Sequence, residues 1–218
     1  MKKTALIVAG GKGERMNSIV PKQFITVNDL PILMHTIKQF SSFNKIILVL
    51  HKEKIKFWKE LCQQYSFSIK HEIVVGGIDR YSSVKNGLNY VDDNCIVAIH
   101  DGARPLISSN LISKLIVEVK KNLGVIPVVY IKESVRQKIN LSSSKIIDRS
   151  DLVLVQTPQC FFGSEIKQAY VNTSAKGFTD DASVFEAYSG KILLIAGEET
   201  NIKITKEEDL KIAKAFMN

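Results

Sequence analysis

Three cations, Lys12, Arg15 and Lys22, fall within eleven residues in and after the glycine-rich stretch Ala9-Gly10-Gly11-Lys12-Gly13-Glu14-Arg15-Met16, which leads through a short gap into Pro21-Lys22-Gln23. Glycines leave backbone N–H groups open and let the chain approach a phosphate with no Cβ in the way. Fixed cations beside such a loop match the charge of a triphosphate. A plain glycine-rich turn with solvated basic side chains is the competing reading, and the local residues leave both open. Two familiar phosphate loops are excluded. Gly11-Lys12 is followed by Gly13, so the hydroxyl residue of a P-loop is missing, and Gly11-x-Gly13 is completed by Met16 where a dinucleotide fingerprint needs glycine.

Further groups of the same kind follow. Gly76-Gly77-x-x-Arg80-x-x-Ser83 offers backbone donors, a cation and a hydroxyl to a base or a phosphate. His100-Asp101-Gly102-Ala103-Arg104-Pro105 ends an apolar run with a carboxylate and an arginine three residues apart. Asp101 beside phosphates suits Mg2+, which takes a carboxylate or two together with waters and phosphate oxygens; an Asp101 to Arg104 ion pair shaping the turn is the alternative. Thr179-Asp180-Asp181 reads equally as part of such a site and as a simple helix cap before residues 182–188. Asn201-Ile202-Lys203-Ile204-Thr205 adds a lysine on a predicted strand, where burial of its stem would hold the ammonium in place.

The elements that must position these groups alternate along the chain. Residues 4–8, 45–50, 69–75, 95–99, 125–131, 152–156, 191–196 and 201–204 read as strands. Between them, Ile32, Leu33, Ile37 and Phe40, then Ile55, Trp58, Leu61 and Tyr65, then Val84, Leu88 and Val91, then Leu111, Leu115 and Val119 have helical spacing. Thr205 with Glu208 reads as a capping box for a last helix carrying Leu210, Ala213 and Met217. Such alternation implies an α/β fold with a doubly wound, mostly parallel sheet, which takes ligands at the carboxyl ends of its strands. Residues 1–218 read as one domain. Residues 132–149 break the rhythm as a β-hairpin with too little apolar surface to stand alone, and a second copy of the chain is the economical cover for this arm.

Composition narrows the class. The 218 residues are 45% hydrophobic and 24% charged, enough for one sizeable core. The formal net charge of +8 raises the question of nucleic acid, but Lys52, Lys54, Lys56 and Lys59 read as the solvated face of a helix, and no arginine-rich run or RNA-type aromatic motif accompanies them. Cys62, Cys95 and Cys160 are odd in number and unpaired in spacing, as in a reduced, cytoplasmic protein. The histidines form no zinc pattern. No apolar run is long enough for a membrane helix, and the start is too short for an export signal.

Taken in order, the glycine loop with Arg15, Pro21-Lys22-Gln23, Gly76-Gly77-x-x-Arg80-x-x-Ser83, His100-Asp101-x-Ala103-Arg104-Pro105, Asp148-Arg149, Gln156-Thr157-Pro158-Gln159, Thr179-Asp180-Asp181-Ala182-Ser183 and Asn201-Ile202-Lys203-Ile204-Thr205 resemble the 2-C-methyl-D-erythritol 4-phosphate cytidylyltransferase family of the non-mevalonate isoprenoid pathway. Ribitol-5-phosphate cytidylyltransferases share much of this pattern. The resemblance implies a Rossmann-like nucleotidyltransferase fold acting on CTP and a sugar-alcohol phosphate with Mg2+ or another divalent cation. It implies that Arg15 and Lys22 stabilise the α-phosphoryl transition state, that Lys12 holds the outer phosphates, and that Arg149 and Lys203 position the attacking phosphate. Ala9, Gly10, Gly11, Gly13, Gly77, Arg80, Ser83, Asp101 and Ala103 would complete the nucleotide site, with Asp101 organising the metal. Arg104, Glu133, Thr157, Thr179 and Thr205 would join the substrate side. The arm would cross to the other subunit of a homodimer, so that Arg149 serves the partner's site. Two positions depart from the family pattern: Ile78 stands where many relatives are polar, and Lys132-Glu133-Ser134 where an Asp-Thr pair is usual.

Overall fold

Ala5, Ile7 and Ala9 pack into one apolar layer and Leu6 into another, on opposite faces of one sheet, in the computed structural model, which describes residues 1–11, 21–174, 177–188 and 190–217. Along the chain, β1 (Lys2–Ala9) is followed by a short hairpin of β2 (Thr26–Val27) and β3 (Leu30–Pro31), then α1 (Ile32–Gln39), β4 (Lys45–Leu50), α2 (Ile55–Gln64), β5 (Glu72–Val75), α3 (Arg80–Leu88), β6 (Cys95–Asp101), α4 (Ser109–Glu118) and β7 (Leu123–Tyr130). The arm holds β8 (Val135–Lys138) and β9 (Ser144–Ile147). After it come β10 (Val153–Val155), β11 (Gln159–Phe162), α5 (Gly163–Asn172), α6 (Asp181–Tyr188), β12 (Lys191–Ala196) and α7 (Glu207–Phe216).

The main sheet runs β10-β7-β11-β6-β1-β4-β5, with β12 also paired to β7. From β6 through β1 and β4 to β5 the pairing is parallel, as is β12 with β7, whereas β10 and β11 run antiparallel to their neighbours. Residues of α1, α2 and α4 cover one face and those of α3, α5 and α6 the other. This is the doubly wound arrangement. It explains why β1, β4 and β6 read as unbroken apolar runs: both of their faces are buried, so even and odd positions alike must be apolar. Ile47 and Val49 point to one helix layer, Ile46, Leu48 and Leu50 to the other.

Some elements differ from the sequence reading. The strand expected from residue 69 begins only at Glu72, because the Ile69 carbonyl is taken by the His71 ring at 2.7 Å. The hairpin of β2 and β3, strand β11 and helix α5 carried no periodic signal strong enough to assign. Residues 201–205 are not a strand. They run over the strand ends, and Ile204 N–H meets Ala103 O at 2.9 Å as a single tether. The expected cap of the last helix shifts by one residue: Asp209, not Glu208, accepts from the Thr205 N–H, the Thr205 hydroxyl and the Lys206 N–H at 2.7, 2.8 and 3.0 Å. The arm forms its own two-stranded sheet, Val135 opposite Ile147 and Lys138 opposite Ser144.

Candidate active site

Parallel register brings the separated motifs together. Ala9 pairs with Leu50, Val8 with Asp101, and Leu50 with Val75, so β1, β4, β5 and β6 end at one level. The next backbone N–H groups extend that level: Gly76 donates to Leu50 O at 2.8 Å and Gly102 to Val8 O at 2.9 Å. A cleft of about 490 Å³ opens over these ends. Ala9, Gly10, Gly11, Gly77, Ser83 and Ala103 line it, together with the charged side chains of Lys22, Arg80, Asp101 and Lys203. Ser83 sits between two of the loops, since its hydroxyl accepts from Gly77 N–H at 3.0 Å and a Cβ on Gly10 would lie 3.3 Å from it. A Cβ on Gly76 would come to 3.0 Å of the same hydroxyl, a tight contact that glycine avoids.

Asp101 is the electrostatic centre of the cleft. Lys203 Nζ lies 2.8 Å from Oδ2, Arg80 Nε 3.4 Å from Oδ1, and Arg104 Nε 3.7 Å from Oδ2. Burial alone would raise the Asp101 carboxyl; the charges of Arg80, Lys203 and Arg104 outweigh it and hold the group well below the usual carboxylate range. Lys203 gets there through side chains of the link between β10 and β11, of the turn after β6 and of the loop before it. Gln156 Nε2 donates to Glu198 O at 2.7 Å, the fully buried Asn201 donates to Thr157 O at 2.9 Å, and Arg104 Nη1 holds Asn201 O at 2.7 Å. At the other side of the cleft Gln23 donates to Ala9 O at 2.9 Å, tying the segment that carries Lys22 to the end of β1.

Behind Asp101 a neutral chain of hydrogen bonds supports the strand end. His100 Nε2–H donates to Arg104 O at 3.0 Å, which leaves Nδ1 to accept from the Thr157 hydroxyl at 3.0 Å, and Thr157 Oγ1 accepts from Asp101 N–H at 3.1 Å. Complete burial lowers the His100 pKa from 6.5 to about 4. The unfolded chain therefore binds a proton that the native state refuses, and stability falls as pH drops from 6.5 towards 4, by up to roughly 3 kcal/mol. Denaturant unfolding at pH 7 and pH 4.5 checks this; equal midpoints at the two values would contradict a neutral, buried His100.

The placement of the candidates divides into three groups. Ala9, Gly10, Gly11, Lys22, Gly77, Arg80, Ser83, Asp101, Ala103 and Lys203 share the cleft, with Arg104 and Thr157 packed behind it. Glu133, Arg149, Thr179 and Thr205 do not line it; Arg149 donates to Lys132 O at the base of the arm, and the Thr205 hydroxyl is taken by Asp209. Lys12, Gly13 and Arg15 lie outside the described residues. Residues given no role in the sequence reading also matter. Gln23, Gln156 and Asn201, which entered only as members of the family motifs, hold the two cation-bearing segments. His51, at the end of β4, lines the cleft as well.

Fold and cleft together define a doubly wound α/β protein with a charged, glycine-lined cleft across the carboxyl ends of its parallel strands, the place where such sheets take ligands. The family described as IspD, 2-C-methyl-D-erythritol 4-phosphate cytidylyltransferase, matches residues 4–218. A Bacteroides fragilis protein of that name is 46% identical over 220 residues, covering 100% of both chains. Among solved structures, the 2-C-methyl-D-erythritol 4-phosphate cytidylyltransferase of Thermus thermophilus superposes with a TM-score of 0.83 at 26% identity, covering 99% of this chain and 98% of that one. The bifunctional IspDF of Campylobacter jejuni superposes at 0.82 with 30% identity; 97% of this chain matches, spanning 54% of that longer protein. The chain belongs to the 2-C-methyl-D-erythritol 4-phosphate cytidylyltransferase family.

Proposed function

We propose that this chain transfers the cytidylyl group of CTP to 2-C-methyl-D-erythritol 4-phosphate, giving 4-diphosphocytidyl-2-C-methyl-D-erythritol and pyrophosphate. Family membership and the cleft support it, above all the Lys203–Asp101 pair at 2.8 Å facing the glycine-lined strand ends. A phosphate oxygen of the acceptor attacks the α-phosphorus of CTP, the bond to the β-phosphate oxygen breaks, and pyrophosphate leaves. The nucleophile is already ionised, so positioning and charge stabilisation carry the rate. Lys22 and Arg15 are assigned to the charge that grows at the α-phosphoryl group, Lys12 to the outer phosphates, and Lys203 and Arg149 to the acceptor phosphate.

The described residues hold no cluster of three or more His, Cys, Asp or Glu side chains able to bind a metal. Of the two carboxylates that line the cleft, Asp79 caps α3, and Asp101 is the hard oxygen ligand assigned to Mg2+ arriving on the triphosphate with waters as its other ligands. When bound there, Mg2+ would neutralise charge on the departing pyrophosphate.

The chain is read as one domain with its arm serving a homodimer. Leu141, Ile139 and Ile146 are 95%, 64% and 68% exposed on the arm, apolar surface that a second copy would cover. Arg149 stands at the base of this arm, which supports its assignment to the partner's cleft. Replacing Arg149 by alanine is then expected to raise KM for the sugar phosphate about tenfold or more, the weight of a lost charge-assisted contact, while KM for CTP stays within about twofold; a change confined to CTP would reverse the assignment. No described helix is long and apolar enough to cross a membrane. The free thiols Cys62, Cys95 and Cys160 suit a cytoplasmic setting, and burial pushes Cys62 up to about 11, away from reactivity. Pyrophosphate release from CTP and Mg2+ with methylerythritol phosphate, with ribitol 5-phosphate, or with neither tests the whole reading. Release with the first only is expected; release with ribitol phosphate alone would reassign the acceptor.

A further inference from the structure

The guanidinium of Arg80 lines the cleft, yet its two terminal nitrogens face away from Asp101. Nη1 and Nη2 donate to Asp181 Oδ1 and Oδ2 at 2.8 and 2.7 Å, a bidentate fork, and only Nε reaches Asp101, at 3.4 Å. Asp181 is fully buried at the start of α6, 101 positions along the chain from its partner. Its own position is determined without Arg80. Tyr170 donates its hydroxyl to Oδ1 at 2.6 Å, and the fully buried Gln159 accepts from the Asp181 and Ala182 N–H groups at 2.9 and 2.8 Å. Arg80 must therefore conform to Asp181, not the reverse. Arg80 is also the first residue of α3, directly after the loop of Gly77, Ile78 and Asp79 that walls the cleft. Asp79 is spent on the same helix start, accepting from Ser82 N–H at 2.7 Å.

We propose that Asp181 is a positioning residue for cytidylyl transfer: by holding the Arg80 fork it sets both the orientation of the Asp101 carboxylate and the place of the 76–83 loop against CTP. The proposal rests on the reading of the cleft as a CTP site. It gives Arg80 a relay role, in contrast to direct donation to the nucleotide. Displacement of a reacting group by about 1 Å can lower rate about 10²-fold, and a residue acting through one intermediary should have a smaller effect.

The test is a double-mutant cycle of Asp181→Asn and Arg80→Gln, with Tyr170→Phe alongside, read as kcat and KM for CTP and as calorimetric CTP affinity without acceptor. Asp181→Asn is expected to weaken CTP about tenfold in KM and in direct affinity. Partial unfolding would lower apparent kcat and leave KM unmoved, so the KM rise separates positioning from mere scaffolding. The double variant should be within about threefold of Arg80→Gln alone, since both changes break one path. Tyr170→Phe keeps the charge pair and should weaken CTP about threefold; it decides the matter should Asp181→Asn not fold. An unchanged KM in folded Asp181→Asn, a tightened one, or effects that multiply in the double variant would overturn the proposal. Failure of the parent chain to release pyrophosphate would reject the transfer reading, while CTP affinities of the same variants still decide on Asp181.

Discussion

Replacing Lys22 by alanine should lower turnover of CTP by at least about 10²-fold, the scale on which loss of one preorganised donor acts in a water-poor site, while the melting temperature barely moves. The asymmetry follows from what surrounds the residue. Its neighbours carry the segment: Gln23 is 4% exposed and bonded to the end of β1, and Phe24, 3% exposed, stacks on Trp58 at 6.0 Å and meets Phe57 edge-on at 5.4 Å. Lys22 itself opens a one-turn 3-10 helix at the cleft wall. Truncating it removes the charge assigned under the proposed reaction to the α-phosphoryl group and leaves the buried Gln23 and Phe24 in place, so the expected change in stability is within about 1 kcal/mol. Steady-state pyrophosphate release and a thermal melt on the same preparation check both halves. Near-parental turnover in a folded variant would remove Lys22 from the catalytic set.

Asp101→Asn should damage both function and stability. The carboxylate is 8% exposed and shared by three cations, and asparagine leaves the partly buried Arg104 with no charge opposite it and Arg80 with Asp181 alone. Removing one partner of a buried ion pair destabilises by about 3–5 kcal/mol. Lys203 can turn to solvent, so about 2–3 kcal/mol is the expectation here, a melting point lower by roughly 5–10 °C for a chain of this size. Turnover should fall by about 10²-fold or more because Lys203, assigned under the proposed reaction to the acceptor phosphate, loses its anchor. The sign with pH is set by the lowered pKa of Asp101. A depressed carboxylate contributes stability that is present above its unfolded value of about 4 and lost as pH falls through the native value. The gap in melting temperature between parent and variant should therefore hold from neutral pH down to about 5 and close only in stronger acid. A constant gap through pH 3, or none at neutral pH, would contradict the ion-pair account.

The strand and helix pattern was readable because its signals are local. The limits 45–50 and 191–196 were legible to the residue: β4 is an apolar run because both of its faces are covered, and β12, although Leu194 is 50% exposed, is as continuously apolar after its first lysine. Residues 201–204 misled for the same reason: Ile202 and Ile204 alternate like a strand, but Ile204 is buried by α7 and β2, and no described strand pairs with it. Glu208 and Asp209 are equally good capping acids on paper, and only the helix start at Glu207 selects the second.

The glycine loops, the cations near them and the order of the motifs were determined by the sequence alone, because phosphate-binding loops advertise themselves by residue type and by short spacing. Which charges meet was decided by tertiary structure. Arg80 read as a cation for nucleotide, yet its fork is taken by Asp181; Asp101 read as a partner of Arg104 or of a metal, yet Lys203 lies closest to it at 2.8 Å. Those pairings join segments far apart along the chain, and they depend on sheet register and on which helix packs over which strand. No local pattern carries that information, because the energy that selects it belongs to the folded chain as a whole.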